Sequence, residues 1–511
     1  MSGEVQGKGD VPSLWCLLSH TLLTAHNELH DPIILKDATG TILSKKNNDA
    51  FFDDTDCYAM TTPIESQEAT KTTQILQNKA QSWNALVAST GGAIAHHKCK
   101  WSIIHWDLSG IIPKLKPTTT HTIQLTDSEG CNTTIPQITP DQPNIGLGFR
   151  LALNGTQIHE YNYRLQQCKQ LHGQITRAHL TKEEAYLMLL TRVIPKVTYP
   201  MAFTQFTQQE CKRLNTVIDT AMLPKIGLNQ HMPKAIVYGP LHLGGINYPK
   251  FETIQVVASI TYLVKQLRWN KDMAKDILII LSTTQLVAGL CRPILEDTDS
   301  ALPHVPCGWI MAIRARLRNI DAKIWIEEAW YPRCQREHDE PIMKAFLQIK
   351  KATPTQLKAA NQCRIYAKVI TIADLAGIDG HYIPQGRTNG RWQAKSTLTW
   401  PEIPCPNKEA WRIFRSLLRK TFCTKQKKRL PDAAMKLDQP LGIWNLDNHH
   451  IRYEYYRTEK QGYDATGDHI TRYTVIPSHP THFSHPEQVK KIPKNAHPVC
   501  ATTTQTSMRI R

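Results

Sequence analysis

Two adjacent carboxylates stand between two strand-forming runs. Ala50, Phe51 and Phe52 lead into Asp53 and Asp54, and Cys57, Tyr58 and Ala59 lead out. This decapeptide constrains the fold more tightly than any other stretch. Aromatic and apolar residues on both sides of a short polar pair specify a tight antiparallel hairpin with Asp53 and Asp54 at its turn. Carboxylates held side by side repel each other unless a cation lies between them. Mg²⁺ is the natural cation, because it takes carboxylate oxygens together with substrate phosphates. Phosphoryl transfer with two metal ions needs such a site to hold the attacking and leaving oxygens. A plain solvated turn satisfies the same residues, so the flanking segments decide.

Upstream, Gln6 and Gly7 open a glycine-rich turn, followed by Val11, Pro12 and an apolar helix from Leu14 to Leu23. Glycine there permits close backbone approach to a ligand; a simple flexible terminus fits equally. Residues 33–43 read as two short strands around a turn at Asp37–Gly40. Downstream, Ile75, Ala80, Trp83 and Val87 give one apolar face of a helix over 67–90, ended by Gly91 and Gly92. A polar turn with Lys98, then a strand over 101–104, completes the series.

In this order the segments resemble the palm of a reverse transcriptase of the non-LTR, LINE-like kind. Gln6-Gly7, three residues, then Val11-Pro12-x-Leu14-Trp15 resembles the family's Gln-Gly-x-x-x-Ser-Pro-x-Leu-Phe segment, with Val11 and Trp15 as departures. Phe51-Phe52-Asp53-Asp54 resembles the aromatic-x-Asp-Asp catalytic hairpin. Gly91-Gly92-x-Ile94-x-x-x-Lys98-Cys99 resembles the Gly-Leu-x-Ile-Asn-x-x-Lys-Thr segment, and Ile145 to Leu151 resembles the Leu-Gly strand that closes the palm. The resemblance implies an α+β fold: a partial polymerase palm of antiparallel hairpin plus helices, then a mainly helical thumb and a helical C-terminal region. It implies that Asp53 and Asp54 hold two Mg²⁺ ions in a complete enzyme. Lys98 would protonate the leaving pyrophosphate, and Gln6, Gly7 and Phe51 would contact template and nucleotide. The partners are then an RNA template and a DNA primer. The family carries a further catalytic aspartate upstream of the Gln-Gly segment; here five residues precede Gln6 and none is Asp. The expectation is a chain truncated at its N-terminus, without fingers, whose alternative is a catalytically inactive nucleic-acid-binding remnant.

Thr181 to Glu184 and Thr207 to Glu210 are capping boxes opening two helices, the first stopped by Pro195, the second with Lys212 and Arg213 on its open face. A helix follows over 253–267, and apolar periodicity returns over 309–326 and 343–349. Residues 411–422 form an amphipathic helix with Arg412, Arg415, Arg419 and Lys420 opposite Ile413, Leu417 and Leu418. Lys425, Lys427, Lys428 and Arg429 follow it. In the resemblance, Lys212 and Arg213 belong to a thumb that grips a nucleic-acid backbone; Arg415 and Arg419 lie on a cationic helix face beside Trp411 that suits a nucleic-acid backbone by its own chemistry. For both, a solvated basic helix face has the same pattern. The expected partition is 1–158 palm, 159–290 thumb and post-thumb segment, 291–430 helical domain with the basic helix, and 431–511 a loosely ordered tail rich in His, Pro and Thr. The histidines and Cys500 of that tail match no zinc spacing.

Charge agrees with a polyanionic partner: 61 Lys and Arg against 44 Asp and Glu leave +17 over 511 residues. The thirteen cysteines include no C-x-x-C pair, which argues against a zinc ribbon and a secreted disulfide framework. Neither a signal peptide nor a membrane-spanning segment is expected. Residues 277–290 are too short and too polar to span a bilayer, so the expectation is an intracellular protein, nuclear or cytoplasmic.

Overall fold

The computed structural model describes residues 11–51, 54–61, 68–107, 114–115, 121–127, 129–269, 271–377, 380–423 and 435–442, and the backbone of 450–463, 469–477 and 497–504. The chain is mixed α and β, with small antiparallel hairpins set among helices. Helix α1 (Val11–Leu29) continues past Leu23 and buries Leu22 and His26. Strands β1 (Ile33–Lys36) and β2 (Leu43–Lys46) pair around the expected turn. Asp37 organises that turn by accepting from the Thr39 hydroxyl at 2.6 Å and the Ile42 amide at 2.9 Å. The turn is a docking point. Ala38 is buried against Leu286, Ile370 and Trp400, its amide donating to Ser282 Oγ and its carbonyl accepting from the Thr399 amide.

Strands β3 (Asn48–Phe51) and β4 (Asp54–Cys57) form the carboxylate hairpin, in register from Asn48–Cys57 to Phe51–Asp54. Phe52 and Asp53 connect the strands and lie outside the described residues; Asp54 opens the outgoing strand. Helix α2 (Glu68–Ser89) ends just before Gly91, which takes a φ of +79°.

Beyond a single 3₁₀ turn at His96–Lys98, three hairpins follow: β5 (Trp106–Asp107) with β6 (Lys114–Leu115), β7 (Ile123–Thr126) with β8 (Asn132–Ile135), and β9 (Pro143–Gly146) with β10 (Phe149–Ala152). The strand expected over 101–104 reduces to one bridge from Trp101 to Gln137. Trp101 instead fills the core beside Ile123, Leu125 and Ile135, its indole N–H bonded to the Ile135 carbonyl. Gln77 and Gln81, one turn apart on α2, each donate to and accept from the backbone of β7, at Gln124 and Thr126. Side-chain amides thus cover a strand edge that would otherwise stand open. The single strand expected at 145–151 is a hairpin. Leu147 and Gly148 form its two-residue turn at φ +49° and +81°, because the right-handed strand twist favours a primed turn there.

The helical part comprises α3 (Ile158–Arg177), α4 (Lys182–Met188), α5 (Ile194–Thr198) and α6 (Gln208–Lys225), packed through Leu171, Ile175, Val193, Leu214 and Ile218. Both capping boxes form. Pro195 does not stop its helix, contrary to expectation. The turn Leu189–Val193 widens so that the Ile194 amide bonds the Leu189 carbonyl, and the missing proline N–H falls at the first turn of the next segment, where none is needed. Then come α7 (Lys234–Tyr238), α8 (Phe251–Trp269), α9 (Lys271–Ala288) and α10 (Trp309–Asn319). The periodicity expected to Ile326 ends early, at Asp321 in the left-handed region. No helix among the described residues is long and apolar enough to cross a membrane.

A further core gathers α11 (Ile342–Leu347), α12 (Pro354–Ala367), α13 (Ile372–Leu375) and α14 (Lys408–Phe422) with the pair β11 (Tyr382–Ile383) and β12 (Met435–Lys436). It joins the preceding helices at the C-terminus of α9. The last carbonyls of a helix lack partners, and these are buried. Arg364 donates to the Leu286 and Val287 carbonyls at 2.8 and 2.9 Å, and the His304 ring bonds the Ala288 carbonyl at 3.0 Å. Within 431–511, the backbone pairs β13 (His450–Tyr463) with β14 (His469–Pro477) and β15 (His497–Thr504). Tyr, Ile, Val and Thr recur in these stretches and fit a pleated surface, a signal that the His and Pro content obscured.

Candidate functional site

Directly paired residues of an antiparallel hairpin share a face. The β3–β4 register therefore puts Asp49, Asp54 and Asp56 on one face. Asp54 and Asp56 are exposed. Even so, the Asp56 carboxyl is held above the usual carboxylate range, chiefly by partial desolvation and then by the charges of Asp49 and Asp54. Lys46 approaches Asp49 at 3.7 Å but lies closer to Asp276, at 3.1 Å. This negative potential, made of carboxylate oxygens and only partly offset by Lys46, suits a hard divalent cation in kind. Among the described residues no three His, Cys, Asp or Glu side chains converge as a metal-binding group, and Asp53 is not one of those residues.

What holds the hairpin is a buried lysine that motif reading passed over. Lys79 is 2% exposed, and its ammonium donates to Asn47 Oδ1 at 2.6 Å, the Asp31 carbonyl at 2.9 Å and the Tyr58 carbonyl at 3.0 Å. All three of its protons are thus engaged. Asn47 and Tyr58 flank the hairpin and are themselves joined by a backbone bond of 2.8 Å. Burial lowers the Lys79 pKa. His26 on α1 adds a second tie, bonding the Lys79 carbonyl at 2.9 Å and the Asn48 side chain at 3.1 Å. A sequence signal existed: Ile75, Lys79 and Trp83 recur every four residues, placing a cation in the apolar stripe of α2.

Lys98 is exposed on its 3₁₀ turn. The neighbouring Cys99 lies near enough to Cys57 of β4 to add to the rise of that thiol, which burial pushes up to about 11. Cys57 is on the hairpin face opposite the carboxylates. Gln6, Gly7 and Asp53 lie outside the described residues, as does the Phe51 side chain.

Lys212 and Arg213 are exposed on α6, as expected, and Arg213 also hydrogen-bonds the Tyr161 phenol, whose pKa burial raises. On α14, Arg419 and Lys420 are exposed, Arg415 is half-buried and donates to the Thr388 carbonyl at 3.2 Å, and Arg412 is paired with Glu409. Lys425 to Arg429 lie outside the described residues. A further face was missed: α3 exposes Asn162, Gln166, Lys169, Gln170, Gln174 and Arg177, while its Glu160 is buried against Arg164. Amides and cations without an outward carboxylate make a surface suited to phosphates.

The net charge overstates the surface. Arg314, Arg316, Arg336, Arg364 and Arg387 are buried and donate to backbone carbonyls. Comparison with protein-family models, with curated proteins and with solved structures finds no match for this chain.

Proposed function

We propose that this chain carries the catalytic hairpin and the thumb of an RNA-directed DNA polymerase of the non-LTR retroelement kind, acting on an RNA template and a DNA primer. The observation that carries the reading is the hairpin itself. Asp54 opens the outgoing strand next to Asp53 in the sequence, three carboxylates of β3–β4 share one face, and α1 and α2 flank the hairpin in the chain. The Lys98 turn, the β9–β10 hairpin and the helical unit follow in the order of the resemblance.

In that role Asp53 and Asp54 would hold Mg²⁺, with Asp49 and Asp56 deepening the negative potential. When bound, the ions would supply charge stabilisation of the attacking and leaving oxygens. Gln6, Gly7 and Phe51 would position template and nucleotide, and Lys98 would donate a proton to the leaving pyrophosphate. Lys212, Arg213, Arg415 and Arg419 would contact backbone phosphates. The test is Mg²⁺-dependent primer extension on an RNA template by this chain together with an upstream segment bearing the further aspartate. Extension that persists with Asp53→Ala overturns the assignment.

A second reading, nucleic-acid binding without synthesis, draws on the exposed faces of α3 and α6, which do not depend on the carboxylates. Filter binding across a salt series tests it. Affinity should fall steeply with salt, since each phosphate contact releases counterions; flat binding contradicts it.

A further inference from the structure

The joint at the C-terminus of α9 also brings two thiols together. Cys291 follows α9 and, like Trp330, packs against the cluster of Ala38, Leu286, Ile365, Ile370 and Trp400. Shortly beyond Trp330, Cys334 stands in a segment strapped to α13. The Gln335 amide donates to Asp339 Oδ2 at 2.7 Å, the Ala373 amide to Asp339 Oδ1 at 3.0 Å and the Ile372 amide to the Glu340 carbonyl at 3.0 Å. The Ile342 amide bonds the Ile370 carbonyl at 3.0 Å, so this segment runs along the cluster that holds Cys291. The two stretches meet there, where the Cys291 thiol donates a hydrogen bond to the Cys334 sulfur. Both cysteines are reduced and half-buried, within reach of a small reagent from solvent.

We propose that Cys291 and Cys334 form a reversible redox pair, which a small organic disulfide of the glutathione class closes into a disulfide bond. The pair lies outside every motif used for the polymerase reading, so the two stand or fall separately. The hydrogen bond from Cys291 holds the Cys334 thiol below its usual value, while that bond and desolvation raise the Cys291 thiol. Cys334 therefore attacks first, since the thiolate and not the thiol is the nucleophile. It forms a mixed disulfide and releases one thiolate of the reagent. Cys291 then gives up its proton, attacks the Cys334 sulfur and expels the second thiolate. Two electrons and two protons leave the cysteines, and the reagent's disulfide departs as two thiols. The new bond would tie the end of α9 to the strap on α13, closing a loop around α10 at the joint that Arg364 also spans. A cross-link over so long a loop restricts the unfolded chain more than a short one does.

The test incubates the full chain with excess oxidised glutathione, alkylates the remaining thiols and reads the peptides by mass spectrometry. Wild type should yield a Cys291–Cys334 cross-link that dithiothreitol reverses, and should melt at a higher temperature than the reduced chain. Cys16→Ser, which removes an exposed cysteine elsewhere, should behave as wild type. Cys291→Ala should retain one glutathione on Cys334 and show no rise in melting temperature. In Cys334→Ala, glutathione should attach to Cys291 at least about tenfold more slowly than it attaches to Cys334 in Cys291→Ala. Wild type that keeps both residues alkylated, or carries glutathione on each without a cross-link, refutes the pair. That result needs no substitution, so a poorly folding variant leaves the refutation intact. A cross-link that leaves the melting temperature of wild type no higher than that of Cys291→Ala refutes the tie across the joint.

Discussion

At the scale of single residues, Lys79 shows how a charge can be built into a core without a carboxylate. Its ammonium is solvated by three neutral oxygens, one on the loop after α1 and two at the hairpin base. Lys79→Met strands these acceptors, each worth about 1.5–3 kcal/mol to a charged donor. Urea unfolding should show a loss of at least about 3 kcal/mol, with faster amide exchange at Tyr58; an unchanged midpoint would contradict the role. Two groups, buried His304 and half-buried Asp339, set opposing responses to pH. Burial pushes the Asp339 carboxyl up to about 6 and the His304 imidazole down to about 4. Folded Asp339 holds a proton that the unfolded chain releases, so its contribution to stability falls as pH rises from about 4 to about 6. His304 stays neutral when folded while the unfolded chain protonates, so its contribution falls as pH drops from 6.5 towards about 4. Each effect is about 3 kcal/mol at about 1.4 kcal/mol per pKa unit. Asp339→Asn should make stability climb more steeply with pH in that window, and His304→Gln should flatten the climb. Urea midpoints at several pH values check both signs.

At the scale of elements, the turn of β9–β10 holds a leucine where Asn or Gly is at ease. Leu147 sits at φ +49°, a left-handed conformation costing a side chain about 1–2 kcal/mol. Leu147→Asn should raise the urea midpoint by about 1 kcal/mol of stability at unchanged slope; a lower midpoint would mean that the side chain contributes more than its backbone costs. The close-packed turn between α7 and α8 gives the opposite case, with Gly245 against the Gly239 carbonyl. Gly245→Ala forces a Cβ onto a carbonyl and should destabilise by about 1–3 kcal/mol, as overpacking does. Elements fixed by local chemistry were legible in the sequence. The β3–β4 hairpin, the Asp37 turn, both capping boxes and α14 follow from turn residues, caps and periodicity. Pro195 and Leu147 were not, because a widened helical turn and a strained hairpin turn are choices of tertiary packing over local preference.

At the scale of the whole molecule, basicity divides into two uses. Part of it lies outward on α3, α6 and α14; part is buried, where guanidinium groups satisfy carbonyls at helix ends and loops. No sequence pattern separates the two, since burial of a lone arginine depends on which carbonyls the fold leaves without partners. Arg364 is the joint between the helices up to α9 and the core around α12 and α14, and burial lowers its pKa to about 9. Arg364→Met leaves the Leu286, Val287 and Val369 carbonyls without their charged donor, each such bond worth about 1.5–3 kcal/mol, and should lower stability by at least about 3 kcal/mol and split one calorimetric transition into two. The carboxylate hairpin was readable only in part: its position and turn are in the sequence, while Lys79 and His26, which fix it, come from elements distant in the chain. The most direct test of its role is primer extension on an RNA template with Mg²⁺, using this chain with an upstream segment that supplies the further aspartate. Extension by wild type that is lost in Asp53→Ala, with binding of primer and template retained, is the predicted result. Equal extension by the variant, or none by wild type despite tight binding, would contradict the polymerase reading.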